Sequence, residues 1–268
     1  MIETQIQEMA ARRRERARRL EVFDANLWLG QPQGFPLAVE CDASALMRAM
    51  AEHFIVGGLV SHWRGKTVSP QEGNVALETG GIDWSGTSLY AIQTGLPHYP
   101  REGGLLPGPD SLPEHVRGVR VFPKTFGFPL AEWSIGSLVK CLIEHGCPLF
   151  AWHTELDWQD LYRLAKAFPQ LRIIVESQPR KIIYQVRPLF ALMRDCPNVM
   201  LEISNVTGPC FDSALRCFGP ERLIFGSFLP MNDPLVPLGL ILDAEIPEAD
   251  RRLIAAGNLR RIIGEGER

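Results

Sequence analysis

Residues 148–175 read PLFAWHTELDWQDLYRLAKAFPQLRIIV. Two short apolar runs, Pro148–Trp152 and Leu171–Val175, flank a segment of helical spacing, Asp157–Phe168. That segment opens on an acidic residue suited to an N-cap and stops before Pro169. Apart from Arg172 the flanking runs are continuously apolar rather than alternating, as suits strands buried on both faces of a parallel sheet. The pattern repeats in both directions. Leu20–Leu29, Ile55–Val60, Ser88–Thr94, Val116–Phe122, Val199–Ile203 and Arg222–Phe225 complete a set of eight apolar runs. Between them lie further helical segments, Ala43–His53, Ser134–His145 before Gly146, and Ile183–Asp195 before Pro197. Eight alternations predict an α/β fold, a single (β/α)8 TIM barrel over residues 21–268, rather than an open doubly wound sheet. A lead-in helix over residues 1–20 precedes it, and Glu248–Ile263 is the closing helix.

The chain has 268 residues, of which 46% are hydrophobic and 22% charged, enough for one barrel with a full core. The net charge of −3 points away from nucleic acid or an anionic membrane as the main partner. No apolar run reaches the roughly 18 residues of a membrane span, and the polar, basic start has no secretory apolar region. Six dispersed cysteines, without a CxxC pair, read as reduced and mostly buried thiols of a cytoplasmic protein. Arg12, Arg13, Arg14, Arg16, Arg18 and Arg19 crowd the lead-in helix. They read either as a solvated face or as an anion or RNA contact. Pro97–Pro113, rich in glycine and proline, reads as a loop over the catalytic face of the barrel.

Several phrases carry a resemblance. They are Phe23-Asp24-Ala25-Asn26-Leu27-Trp28-Leu29-Gly30, Asp157-Trp158 through Phe168-Pro169, Pro197-Asn198-Val199-Met200-Leu201-Glu202-Ile203-Ser204, Glu221-Arg222-Leu223-Ile224-Phe225-Gly226-Ser227, and Ile246 to Ile263. Together they resemble the amidohydrolase-2 branch of the amidohydrolase superfamily over roughly residues 20–265, most closely in the second half. The resemblance implies a barrel, hydrolase or lyase chemistry at a divalent metal, and often a homodimer. It also implies two histidines on the first strand, one residue apart and therefore facing the same way. Asn26 and Trp28 stand at those positions. The histidine implied for the sixth strand falls at Ser177, and the aspartate implied after the eighth at Phe228. Only the histidine of the fifth strand remains, as His153. Amide, hydroxyl and aromatic groups are poor ligands, and one histidine cannot hold a catalytic zinc, so no metal or other cofactor is expected.

Side chains at strand C-termini build the site in this fold. His153 and Glu176, on neighbouring strands, are the candidate catalytic pair, able to act as general base and acid near neutral pH. Asn26, Trp28, His62, Lys124, Gln178, Asn205 and Phe228 are the candidate ligand-binding residues, with Thr94 and Glu155 beside them and Lys124 suited to a carboxylate. Each also has a purely structural reading. His153 can be held by backbone hydrogen bonds, Glu176 can pair with Lys124 or Arg180, His62 can cap or pack, and Trp28 and Phe228 can fill a former metal site. A substitute metal set from Asp24, His62, His153 and Glu176 is the weakest alternative. The leading expectation is a barrel that binds a small molecule, or a protein partner, without turning it over. The alternatives are a metal-independent hydrolase or decarboxylase using His153 and Glu176, and one with a rearranged metal site.

Overall fold

The computed structural model describes residues 2–32, 41–97 and 112–265. Eight strands form one parallel sheet in sequence order. They are β1 (Val22–Leu29), β2 (Ile55–His62), β3 (Leu89–Thr94), β4 (Val116–Val121), β5 (Leu149–Trp152), β6 (Ile173–Glu176), β7 (Val199–Glu202) and β8 (Leu223–Ile224). The backbone N–H groups of Ala25 and Trp28 donate to the carbonyls of Phe225 and Leu229, both at 3.0 Å, and so bring the chain after β8 against β1. A parallel bridge between Leu27 and Leu229 lies at the same seam.

All eight apolar runs become strands, shifted by one or two residues at their ends. The helices depart further from expectation. The lead-in helix α1 spans Ile2–Arg19, α2 Ala43–Glu52, α3 Arg64–Thr67, α4 Pro70–Glu78, α5 Pro123–Phe126, α6 Glu132–Glu144, α7 Trp158–Ala167 and α8 Val186–Asp195. They are followed by α9 Gly208–Phe218, α10 Leu235–Asp243, α11 Glu248–Arg252 and α12 Asn258–Ile262. Helix α8 starts three residues later than its apolar spacing suggests, leaving Ile183 and Tyr184 exposed in the loop after β6. The expected closing helix is interrupted by a π-helical turn at Leu253–Gly257. Helices α9 and α10 are not among the expected helical segments: α9 has a proline in its first turn and buries Cys210, Phe211 and Ala214 on one face, while α10 is apolar along most of its length and so lacks a clear helical period. The predicted loop Pro97–Pro113 lies mostly outside the described residues. No helix among the described residues is long and apolar enough to cross a membrane. Five of the cysteines are buried, Cys217 is exposed, and all six are free thiols.

Alternation along the strands sorts the interior into layers. The floor is apolar: Phe23, Ala25, Leu59, Ile92, Phe150, Ile174, Met200 and Ile224 pack on Leu259, Ile262 and Ile263 of the closing segment. Gly118 belongs to this layer because a Cβ there would meet the Phe150 ring at 2.6 Å. Above the floor the interior turns polar, and the mouth is aromatic. The floor is held shut by Asn258. Its buried amide donates to the carbonyls of Pro220 and Leu223, both at 2.8 Å, and ties α12 to the entry of β8.

Asn258→Ala strands both carbonyls in a dry site. We expect a loss of about 2 kcal/mol of unfolding free energy, read as a lower urea midpoint at unchanged slope.

Candidate active site at the barrel mouth

Arg120 is the side chain on which the interior turns polar. On β4 it shares its facing with Gly118 and Phe122, so alternation aims it into the barrel, where it is fully buried. Its guanidinium forks onto Glu176 at the end of β6, Nε to Oε2 at 2.8 Å and Nη2 to Oε1 at 2.5 Å. Nη1 donates to the Ser61 hydroxyl, and Nη2 lies 3.4 Å from Asn26 Oδ1. The face of the guanidinium stacks on the Trp28 ring, 4.5 Å from its centroid. The expected pairing of Glu176 with His153 is therefore not formed, and neither Lys124 nor Arg180 is the partner of Glu176. A bidentate guanidinium deeper in the same barrel takes both carboxylate oxygens.

Two more carboxyl groups share this layer. Glu202, in register with Glu176 on β7, is fully buried. Burial, then repulsion from Glu176, pushes its pKa up to about 8 despite hydrogen bonds from the Ser204 and Ser177 backbone and the Ser204 hydroxyl. Burial raises the Glu176 carboxyl as well, with the charge and hydrogen bonds of Arg120 opposing it, and Glu176 is the carboxyl that faces the guanidinium. Asp24 is raised to about 6 by burial, against hydrogen bonds from Ser227 and the Asn26 backbone. Its Oδ2 and the Asn26 Nδ2 are buried without a hydrogen-bond partner.

An aromatic lid closes over these charges. Trp28, Trp63, Phe122, Trp152 and Phe228 are all nearly inaccessible to solvent. Trp28 and Trp63 lie 4.6 Å apart between ring centroids, and Phe228 meets Trp28 and Trp152 edge to face at 6.2 and 5.9 Å. Asn26 Oδ1 accepts from the Trp28 indole N–H at 2.6 Å, so the two residues replacing the expected histidine pair hold each other. Phe228 sits at a left-handed φ of +62°, a conformation costly for a bulky side chain. Filling the lid offsets that cost.

The rest of the mouth is polar. Gln178 is buried, donating to the Ser204 hydroxyl and accepting from Asn205 at 3.1 Å, while Asn205 accepts from Asn232 at 3.1 Å. His153 is buried with Nε2 donating to the Arg180 carbonyl at 2.8 Å and Nδ1 against the Gln185 amide oxygen. His62 accepts from the Arg64 backbone N–H at 3.1 Å through Nδ1, and burial followed by the Arg64 charge lowers its pKa. Thr94 is buried at the end of β3, its backbone bonded to Asn74. Lys124 is exposed, with its amine on the Thr154 carbonyl at 2.9 Å.

Sequence reading missed Arg120 and Lys66. Lys66 Nζ lies 2.7 Å from both Glu155 Oε1 and Thr125 Oγ1, and rests over the rings of Phe122 and Trp152 at 4.4 and 4.7 Å. Burial pushes the Glu155 carboxyl up, but Lys66 and the Thr125 hydrogen bonds outweigh it and hold it below its usual range. The signal for Arg120 was present: an arginine inside the apolar run Val116–Phe122, at an inward parity, demands a buried anion. Lys66 had no such signal, because it reaches the lid from a short helix.

The divalent cation implied by the family resemblance does not fit these residues. Its expected positions hold Asn26, Trp28, Ser177 and Phe228. His153 is engaged at both ring nitrogens, and the Arg120 guanidinium already brings a cation to Asn26 and Glu176. Among the described residues no three His, Cys, Asp or Glu side chains converge as a metal site would require.

Strand order and closure define a TIM barrel, with polar and titratable side chains gathered at strand C-termini. The amidohydrolase family model matches residues 113–264, more than half of the chain, and the chain belongs to this family. No curated protein matches it in sequence. Solved structures share its fold. An amidohydrolase from Burkholderia multivorans with bound zinc is 13% identical, covering 91% of this chain and 99% of its own, with a TM-score of 0.69. A 2,6-dihydroxybenzoate decarboxylase is 14% identical with the same coverage and a TM-score of 0.66. A putative 2-pyrone-4,6-dicarboxylic acid hydrolase from Pseudomonas putida is 16% identical, covering 91% and 98%, with a TM-score of 0.64.

Two expectations follow from the buried charges. Arg120→Met leaves Glu176 unpaired and is expected to cost about 3–5 kcal/mol in chemical denaturation, most of which the double change Arg120→Met/Glu176→Leu restores. Glu202 holds a proton in the folded state that the unfolded chain has already lost. The stability it confers is therefore full below about pH 4.5 and drains away as pH rises through about 8. Glu202→Gln should remove this slope, so that the variant gains on the parent by a few kcal/mol (order of magnitude) between pH 5 and pH 8.5, in urea melts at each pH.

Proposed function

We propose that this amidohydrolase-family barrel does not use metal-dependent chemistry and binds a small carboxylate-bearing ligand at its mouth without turning it over. One observation carries the reading: a guanidinium, not a ligand set, lies beneath a five-ring lid. A Lewis-acidic metal would need anionic or imidazole donors there, and these residues offer an amide, an indole, a hydroxyl and a phenyl ring. The metal-independent alternative, with His153 and Glu176 as acid and base, is disfavoured by their separate commitments to Arg180 and Gln185 and to Arg120. The decarboxylase and the dicarboxylic acid hydrolase named above act on carboxylate-bearing compounds, which supports a ligand of that class. On this chain the groups suited to it are Lys124, Arg180 and Lys181, which follow β4 and β6. Lys66 is committed to Glu155 and Thr125 beneath buried rings, so the exposed Lys124, whose amine rests on the Thr154 carbonyl, is the group best placed to meet a carboxylate.

The test is elemental mass spectrometry on protein purified without tag or chelator, followed by turnover assays on benzoate-type and dicarboxylate compounds with zinc or manganese added. The expected result is no stoichiometric metal, no turnover, and a thermal shift with aromatic carboxylates that Lys124→Met weakens severalfold. Near-stoichiometric metal, with turnover that a chelator abolishes, overturns the reading.

A further inference from the structure

The opposite end of the barrel carries a cavity that the mouth chemistry does not use. It has a volume of about 470 Å³ and lies where the end of α1 turns into β1, against the π-helical turn before α12. Four arginines line it: Arg18 and Arg19 from α1, Arg252 from the end of α11 and Arg260 from α12. Glu21 is the carboxylate among the described lining residues, and it stands at a left-handed φ of +48° at the turn itself.

Three of these guanidinium groups meet a carboxylate, each through Nε, on the side away from their terminal nitrogens. Arg18 lies over the Phe54 ring, 5.5 Å from its centroid, and has no carboxylate partner among the described residues. Arg19 pairs with Glu15 through Nε alone, at 3.0 Å, and both side chains are at least half exposed. Arg252 is 3.9 Å from Glu248, another exposed pair of little worth. Arg260 stacks over Phe23 at 4.8 Å and pairs with Glu265 through Nε at 3.5 Å. The last turn of α1 has a structural use for a positive charge, because its free carbonyls carry about half a negative charge. Two arginines at that end exceed this need, and Arg252 and Arg260 come from other elements. Like charges are gathered around one concavity with their terminal nitrogens unspent.

We propose that this cavity binds a compact multivalent anion, a diphosphate group. Guanidinium forks recognise tetrahedral phosphate oxygens in pairs. Four forks exceed what one carboxylate or a single phosphate can engage, and the volume suits a small molecule. The same group occurs free, as inorganic pyrophosphate, or carried by a nucleoside diphosphate. The inference is independent of the mouth: it uses none of its residues.

Isothermal titration of the full chain with pyrophosphate and with ADP, at low and at raised salt, tests it. Saturable binding is expected, weakening as salt rises and falling at least about tenfold in Arg18→Ser/Arg252→Ser. Both side chains are solvent-facing, so the variant should melt close to the parent; Arg252→Ser alone, expected to weaken binding severalfold, serves if it does not. Equal affinity for the two ligands supports the site and assigns the free anion as sufficient. Tighter binding of ADP supports it and assigns a nucleotide. Absence of saturable binding, binding unchanged in both variants, or the same thermal shift from sulfate at matched ionic strength overturns the proposal.

Discussion

A guanidinium sealed inside a barrel has to meet its charge there, and the architecture of this interior follows from that requirement. Arg120 meets its charge in the forked contact with Glu176, and a second carboxyl one strand away, Glu202, has its pKa pushed up by burial and by Glu176. The Glu202 oxygens accept from Ser177 and Ser204, which follow β6 and β7. Ser61 and Asn26 take one further guanidinium donor each, and the Asn26 oxygen that faces Arg120 also orients Trp28. One ion pair thereby sets protonation states, side-chain directions and the seat of the lid.

Buried ion pairs rarely stabilise a protein better than well-packed apolar side chains of the same volume. Their use here is specificity of arrangement. The polar layer separates an apolar floor, which any barrel needs to close, from an aromatic mouth, which this barrel uses in place of metal-bearing side chains. Family membership and the observed residues thus point in different directions. The scaffold is the amidohydrolase one, and a buried guanidinium lies at its centre. Stacking of Arg120 on Trp28, and of Lys66 on Phe122 and Trp152, ties the lid to cations on both its inner and outer sides.

The sequence revealed the barrel because strand burial on both faces leaves an unmistakable pattern: short unbroken apolar runs such as Leu149–Trp152 and Ile173–Val175 cannot sit at a half-exposed sheet. It revealed the family through phrases that anchor strand ends, among them Asn198, whose amide donates to three carbonyls, and Arg222, which serves the carbonyls of Met193, Cys196 and Val199. It also revealed that Asn26, Trp28, Ser177 and Phe228 stand where ligands were expected. These are local facts, readable from residue type and spacing.

Partnership was decided only in three dimensions. His153 and Glu176 end adjacent strands, yet one bonds along the loop after β6 and the other across the barrel to β4, because the nearest full charge of opposite sign wins the carboxylate. Lys66 reaches the lid from a four-residue helix whose direction no periodicity encodes, and the arginines of α1 meet those of α11 and α12 only after some 230 intervening residues have closed the barrel. Residue type and alternation therefore determined the scaffold and which side chains face inward. Which of them touch, and hence which charges survive at neutral pH, depended on distances across the barrel that sequence spacing does not contain.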